Sequence, residues 1–292
     1  MRTAAQAFKA RVSLVATVLI AAATLGSVIA QSHPPKPPKT VRLYVFDCGV
    51  IKAMDPKLFN FKPGELANAT MSVPAFLIVD PKGTLIWDTG SIPDVDFKGD
   101  NTPITEGYFT ATRTLRSQLA EIGYTPADIT YLALSHYHGD HVANANEFAG
   151  STWLVRQVER DAMFAEKPPA IATPKTYDKL KNSRTILLTT DEYDVFGDGN
   201  VIIKFAPGHT PGHQVLVVKL AHTGNVMLSG DLYHYPEERK LNRVPSFEYN
   251  AQETLASRAM IEAYLKKTNT QLWIEHDFVA NAKLKKAPKY YD

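Results

Sequence analysis

Apolar and polar positions along this chain fall in short blocks, and most blocks have the period of a strand. Residues 41–46, 73–79 and 83–87 are aliphatic, β-branched or aromatic runs bounded by turn formers. The last two flank Asp80-Pro81-Lys82-Gly83 and predict a hairpin. Further strands are predicted at 129–134, 152–155, 185–188, 201–205, 214–220, 225–228 and 272–274, with 214–220 and 225–228 forming a second hairpin. Helical spacing is rarer. Leu115, Leu119 and Ile122 share one helix face and predict a helix over 111–122, and 251–266 is the longest helical stretch. Shorter helices are expected at 142–148 and 158–164, while 55–70 and 91–112 read as loops. Phe59 and Phe61 in the first loop are expected in the core, in preference to lining an entrance, because lone aromatics pack inward.

Clusters of polar residues interrupt this pattern at strand ends. The run 129–134 ends in Ser135-His136-Tyr137-His138-Gly139-Asp140-His141, which holds three imidazoles and one carboxylate. On an extended chain His136 and His138 point the same way, and Asp140 and His141 follow where the chain turns. Packed together without a cation, these groups would cost several kcal/mol in desolvation and repulsion. The cluster therefore points to metal, and it can serve two positions. His209 follows the strand 201–205, Asp231 follows 225–228, and His276 follows 272–274.

These residues lie in ordered motifs. His136-x-His138-x-Asp140-His141, Pro207-Gly208-His209-Thr210-Pro211-Gly212-His213, Gly230-Asp231 and Glu275-His276-Asp277 resemble the metallo-β-lactamase superfamily, as does Trp87-Asp88-Thr89-Gly90 upstream. Within it the chain is most similar to the N-acyl-homoserine lactonases, and the matching extends over 41–292. The resemblance implies an α/β fold, the αββα sandwich of two mixed sheets covered by outer helices. It also implies two divalent metal ions. One would take His136, His138 and His209, the other Asp140, His141 and His276, with Asp231 bridging. Nitrogen and oxygen donors suit zinc, with iron, cobalt or manganese as alternatives. The implied reaction is lactone opening by a hydroxide shared between the ions, with Asp140 as a candidate to carry the proton to the leaving alkoxide. The alternative is the same site acting on another ester, a phosphotriester or a β-lactam. A non-enzymatic diiron protein is a third reading, but similar members of that branch carry a glutamate where this chain has His138.

One departure from the family pattern bears on the substrate. The lactonases it resembles place a tyrosine three residues after the bridging aspartate, and here that position is His234, between Tyr233 and Tyr235. The expectation is that His234 or Tyr233 touches the substrate, with Tyr235 a further candidate. His213 is expected to orient a ligand, and His33 and His222 to be solvated.

Composition changes the picture mainly at the N-terminus. At 292 residues and 45% hydrophobic, the chain is ordinary globular material. Arg2, Lys9 and Arg11 precede an uncharged run over 12–30, which reads as a signal peptide (1–30) cleaved near Ala30 for export to the periplasm or beyond. An uncleaved anchor, and with it membrane association, is the alternative. A proline-rich linker (31–40) and a single hydrolase domain (41–292) follow. Without the first thirty residues, Lys plus Arg falls from 32 to 29 against 30 acids, and the net charge moves from +2 to −1. The basicity belongs to the leader and gives no support to nucleic-acid binding. A small-molecule lactone or ester is the expected partner, and the oligomeric state is left open, a homodimer included. With Cys48 alone there can be no internal disulfide, and it is expected in the core.

Overall fold

The computed structural model describes residues 34–52 and 54–292; the expected leader and His33 lie outside the described residues. Chain order runs β1 (Arg42–Ile51), β2 (Met71–Asp80), β3 (Gly83–Trp87), β4 (Ile104–Glu106), β5 (Phe109–Ala111), α1 (Leu115–Glu121), β6 (Tyr131–Ala133), α2 (Gly139–Val142), β7 (Thr152–Val155), α3 (Gln157–Met163) and β8 (Thr185–Leu187). It continues with β9 (Glu192–Asp194), β10 (Val201–Phe205), β11 (Gln214–Leu220), β12 (Gly224–Leu228), α4 (Pro236–Leu241), α5 (Ala251–Thr268), β13 (Gln271–Trp273), α6 (Phe278–Asn281) and β14 (Tyr290–Tyr291).

The strands form two mixed sheets. The nine-stranded sheet runs β4-β5-β1-β2-β3-β6-β7-β8, with β14 also on β1, and the five-stranded sheet runs β13-β12-β11-β10-β9. Both predicted hairpins are present as antiparallel pairs, β2 with β3 and β11 with β12. Alternation along β1 explains the layers. Leu43 and Val45 face the second sheet and meet Val201, Ile203, Leu216 and Val218. Tyr44 and Phe46 face the other way and pack with Leu115 and Leu119 of α1. On the outer face of the second sheet, Val215, Val217 and Met227 are covered by Ile261 and Leu265 of α5, each such side chain contributing roughly 1.5–3 kcal/mol by leaving water. Helix, sheet, sheet, helix is the expected αββα order. Phe61 and Cys48 lie in the core as expected, and Phe59 is buried as well but also lines a cavity at one rim of the sandwich.

Three expectations are corrected. The loop assigned to 91–112 contains the hairpin β4–β5, whose three-residue strands are too short to show a period. The helix expected over 111–122 begins only at Leu115, where Thr114 accepts from the Ser117 amide as cap. The helix expected over 142–148 is α2 followed by a separate 3-10 turn, Ala145–Phe148. Asn144 breaks it by donating to the Thr89 carbonyl and accepting from the Asp94 amide. Among the described residues no helix is long and apolar enough to cross a membrane.

Candidate active site

The ligand-type residues meet at one rim of the sandwich because the strands that precede them end there. β3 and β6 are parallel neighbours, as are β12 and β13, so the segments after each emerge on one side. β6 delivers His136 to His141, β10 delivers His209, β12 delivers Asp231 and β13 delivers His276. Close approach of these segments needs glycine at one junction. Gly230 adopts φ +48°, and a Cβ there would stand 2.7 Å from His213 Nε2 and 2.8 Å from Ser135 Cβ.

Asp231 sits at the centre with its two oxygens facing two groups. Oδ2 lies 3.5 Å from His136 Nε2 and 3.2 Å from His209 Nε2. His138 completes that side, its Nδ1 3.0 Å from His209 Nε2. Oδ1 lies 3.1 Å from His141 Nε2 and 3.0 Å from His276 Nε2. Asp140 Oδ2 closes the second side at 3.5 Å from His141 Nε2 and 3.3 Å from His276 Nε2. All seven residues expected as ligands are thus brought together, in two sets that share one carboxylate.

Four of the five ligand-type rings are aimed from behind. His136 Nδ1 pairs with Ser135 Oγ (3.0 Å), His141 Nδ1 with Asp88 Oδ2 (2.8 Å), His209 Nδ1 with Glu248 Oε1 (2.9 Å) and His276 Nδ1 with the Ser72 carbonyl (2.7 Å). These contacts turn the Nε2 atoms inward, as outer partners of metal-bound imidazoles do. His213 acts on the bridge itself: its Nδ1 donates to the Ala206 carbonyl (2.8 Å) and its Nε2 accepts from the Asp231 amide (2.9 Å). Burial, followed by the neighbouring His209, pushes His213 down to about 3, so the ring stays neutral. The expectation that it orients a ligand fits this geometry.

Electrostatics show what the cluster lacks. Burial alone would force Asp231 to take up a proton, but His276, His141, His234 and His136 outweigh it and hold the carboxyl well below its ordinary range. Burial, then His141 and His138, pushes His136 well below its ordinary value. Yet His136 Nε2, His141 Nε2, His276 Nε2 and Asp231 Oδ1 are buried without a hydrogen-bond partner. Native interiors rarely leave such atoms unsatisfied. Divalent cations at the two positions would satisfy all four, so the residues fit a two-ion centre.

The sequence profile of the metallo-beta-lactamase superfamily matches residues 70–267. The chain belongs to that superfamily. N-acyl homoserine lactonase AttM of Azorhizobium caulinodans is 31% identical over 265 residues, covering 86% of this chain and 99% of its own. AiiA of Bacillus thuringiensis subsp. kurstaki, also an N-acyl homoserine lactonase, is 25% identical over 240 residues, 78% of this chain and 89% of its own. A solved structure of B. thuringiensis AiiA with N-decanoyl-L-homoserine at its active site superposes with TM-score 0.69 at 24% identity, over 85% of this chain and 98% of that one. AidC, a dizinc quorum-quenching lactonase, superposes with TM-score 0.61 at 18% identity, over 86% and 94%. These likenesses agree with the metallo-beta-lactamase fold described above.

Above the His and Asp cluster of this superfamily member lies a cavity of about 400 Å3. His138, Asp140, Asp231, His234 and His276 form its floor, and Ile51, Met54, Phe59, Phe109, Ile171 and Phe247 its wall. Among the described lining residues there is no lysine or arginine. A roomier cleft of about 520 Å3 lies by α4, β13 and α6, but its lining includes no ligand set, so the chemistry belongs to the smaller one.

The three candidates after the bridge separate clearly. His234 is buried at the floor, with Nε2 3.1 Å from Asp231 Oδ2 and Nδ1 3.2 Å from Glu238 Oε1. Glu238 is held in turn by Arg258 at 2.8 Å. Tyr233 points the other way, a correction to its expected contact with substrate. Its ring lies under the Arg258 guanidinium and its hydroxyl donates to Glu262, because the backbone at Tyr233 is extended (φ −143°, ψ 134°) and neighbouring side chains there point opposite ways. Tyr235 packs edge-on to Phe59 and donates to the Ala69 carbonyl, and it does not line the cavity. His222 is exposed, as expected. Sequence reasoning missed Ser72, Glu159, Glu238 and Glu248. Of these only Glu238 carried a signal, four residues beyond His234, a spacing that one turn brings into contact.

Proposed function

We propose that this chain, a metal-dependent hydrolase of the metallo-beta-lactamase superfamily acting on ester bonds, opens the lactone ring of N-acyl-homoserine lactones and so quenches quorum signals. The observation that carries this is a two-ion ligand floor, split evenly by Asp231, beneath an apolar wall without cationic side chains. Such a cavity suits a neutral acylated lactone. It offers no side-chain cation for the carboxylate of a β-lactam.

Two divalent ions, zinc by the nitrogen and oxygen character of the donors, would supply a water acidified towards neutrality and a Lewis-acid contact for the carbonyl. The chain's own groups do the rest. Asp140 lines the cavity, and its carboxylate takes up the nucleophile's proton and passes it to the leaving alkoxide. His234 lines the cavity and its imidazole donates to the substrate carbonyl, while Glu238 holds this residue through the His234 amide, which donates to Oε2 at 3.2 Å. Burial opposes charge on His234, but Glu238 and Asp231 raise its pKa, which suits a hydrogen-bond donor. The phenyl rings of Phe59 and Phe247 exclude water from that contact. The leader over 1–30 places this reaction outside the cytoplasm.

The test is acid release by purified, ion-loaded protein from N-acyl-homoserine lactones, beside one phosphotriester and one β-lactam. The lactones should give the highest kcat/KM. Absence of lactone turnover with two ions bound would sink the reading. A phosphotriester preference is the second reading, favoured by His234: an imidazole is shorter than the phenol of similar lactonases and leaves more room at the floor.

A further inference from the structure

Glu159 is not a ligand-type member of the cluster, yet it touches both segments that carry the first set of ligands. It lies on α3 and is only 3% exposed. Its Oε1 accepts from the Tyr137 amide (3.0 Å) and from Thr210 Oγ1 (2.9 Å). Its Oε2 accepts from the Gly212 amide (2.7 Å). Tyr137 stands between His136 and His138, and Thr210 directly follows His209. One carboxylate from a third element therefore ties together the two stretches that bear three imidazoles.

The approach is too close to be incidental. A Cβ on Gly212 would meet Glu159 Cβ at 2.4 Å and the Glu159 amide nitrogen at 2.9 Å, so only glycine lets the 207–213 loop reach α3. Among the described ion pairs Glu159 has no cationic partner. A buried carboxylate without a countercharge is costly, and three hydrogen bonds offset only part of that cost. Burial pushes the Glu159 acid up to about 7, against the three hydrogen bonds that favour its charged form.

We propose that Glu159 is the positioning residue of the first ion site: by fixing the main chain at Tyr137 against Thr210 and Gly212, it sets the distance between the His136–His138 pair and His209, and thereby that site's affinity. The proposal rests on the two-ion reading but not on the identity of the substrate. A tether that served only stability would weaken ion-free and loaded protein alike. A positioning residue instead separates the affinities of the two sites.

The variants are Glu159→Gln and Thr210→Val in the full chain. A carboxamide keeps an acceptor for Tyr137 and Thr210 but turns an N–H towards the Gly212 N–H. Valine removes one of the three donors. Each ion-stripped protein is titrated with Co2+ against a chromophoric chelator, its visible spectrum is recorded, and its ion-free melting temperature is measured. For Glu159→Gln one of the two affinities should fall roughly 10–100-fold and the other hold, as for loss of an outer-layer partner. At limiting cobalt its spectrum should match that of His209→Ala, which lacks a first-site ligand. Thr210→Val should show a smaller loss in the same site. Wild-type affinities at both sites in either variant, or equal losses at both that track a fall in ion-free melting temperature, would overturn the proposal. Fewer than two ions on the unmodified chain would sink the two-ion reading beneath it, a distinguishable failure.

Discussion

In the ligand cluster at and beneath the cavity floor, His136, His141, His209 and His276 each have a hydrogen-bond partner behind the ring, whereas Met54, Leu58, Phe109 and Ile171 on the wall are held by apolar contact. The floor is almost wholly buried. Leu58 and Ile171, by contrast, are 41% and 46% exposed at the mouth. Directional bonds fix the floor, so a small displacement of one ring breaks a stated contact. The wall is held by contact area alone and can re-pack at modest cost. A fold built this way can keep its ligand cluster while the shape of the cavity above it drifts.

The sharpest way to break this contrast is at Asp231. Asp231→Asn should lower kcat by at least ~10^3-fold and reduce the bound ions below two, read by turnover and elemental analysis. In the same experiment, stripping the ions from unmodified protein should lower the melting temperature by roughly 15 °C, reversibly, if each of two ions contributes ~4 kcal/mol of linkage. An unchanged melting temperature would mean that the floor is rigid without them. Next comes His234→Ala, expected to cost ~10^2-fold in kcat with two ions retained and KM little altered, as for loss of one proton-handling group. Loss of an ion in that variant would show that His234 belongs to the ligand set. The smallest change should come from the wall. Phe109→Ala should raise KM for long-chain lactones by roughly 10-fold while short-chain turnover is preserved. A fall in kcat for both chain lengths would erase the division between floor and wall.

That division also explains how much was legible beforehand. The floor could be read because its residues stand at strand ends, where polar groups interrupt apolar runs: His136 to His141 after β6, Asp231 after β12, His276 after β13. The layers could be read from alternation, as at Leu43 and Val45 against Tyr44 and Phe46. The supporting carboxylates could not. Glu159 and Glu248 are two acids among 30 Asp and Glu, and only folding brings Glu159 to the Thr210 hydroxyl, 51 residues away, and Glu248 to the His209 ring, 39 residues away. Tyr233 and His234 are adjacent and chemically plausible in the same role, and the extended backbone at Tyr233 sends one to α5 and the other to the cavity. The wall was least legible, since its residues come from strand ends, loops and the short hairpin β4–β5, where no period operates.

The indole of Trp87 donates at 3.0 Å to Glu275 Oε1, which also accepts from the Gly230 amide at 2.8 Å. That carboxyl stands between the neighbours of Asp231 and His276, so charge arriving at either residue alters the field across a fully enclosed fluorophore. With only three tryptophans in the chain, intrinsic emission should serve as a label-free optical gauge of occupancy. Replacing Trp87 by Phe would silence the signal and identify its source.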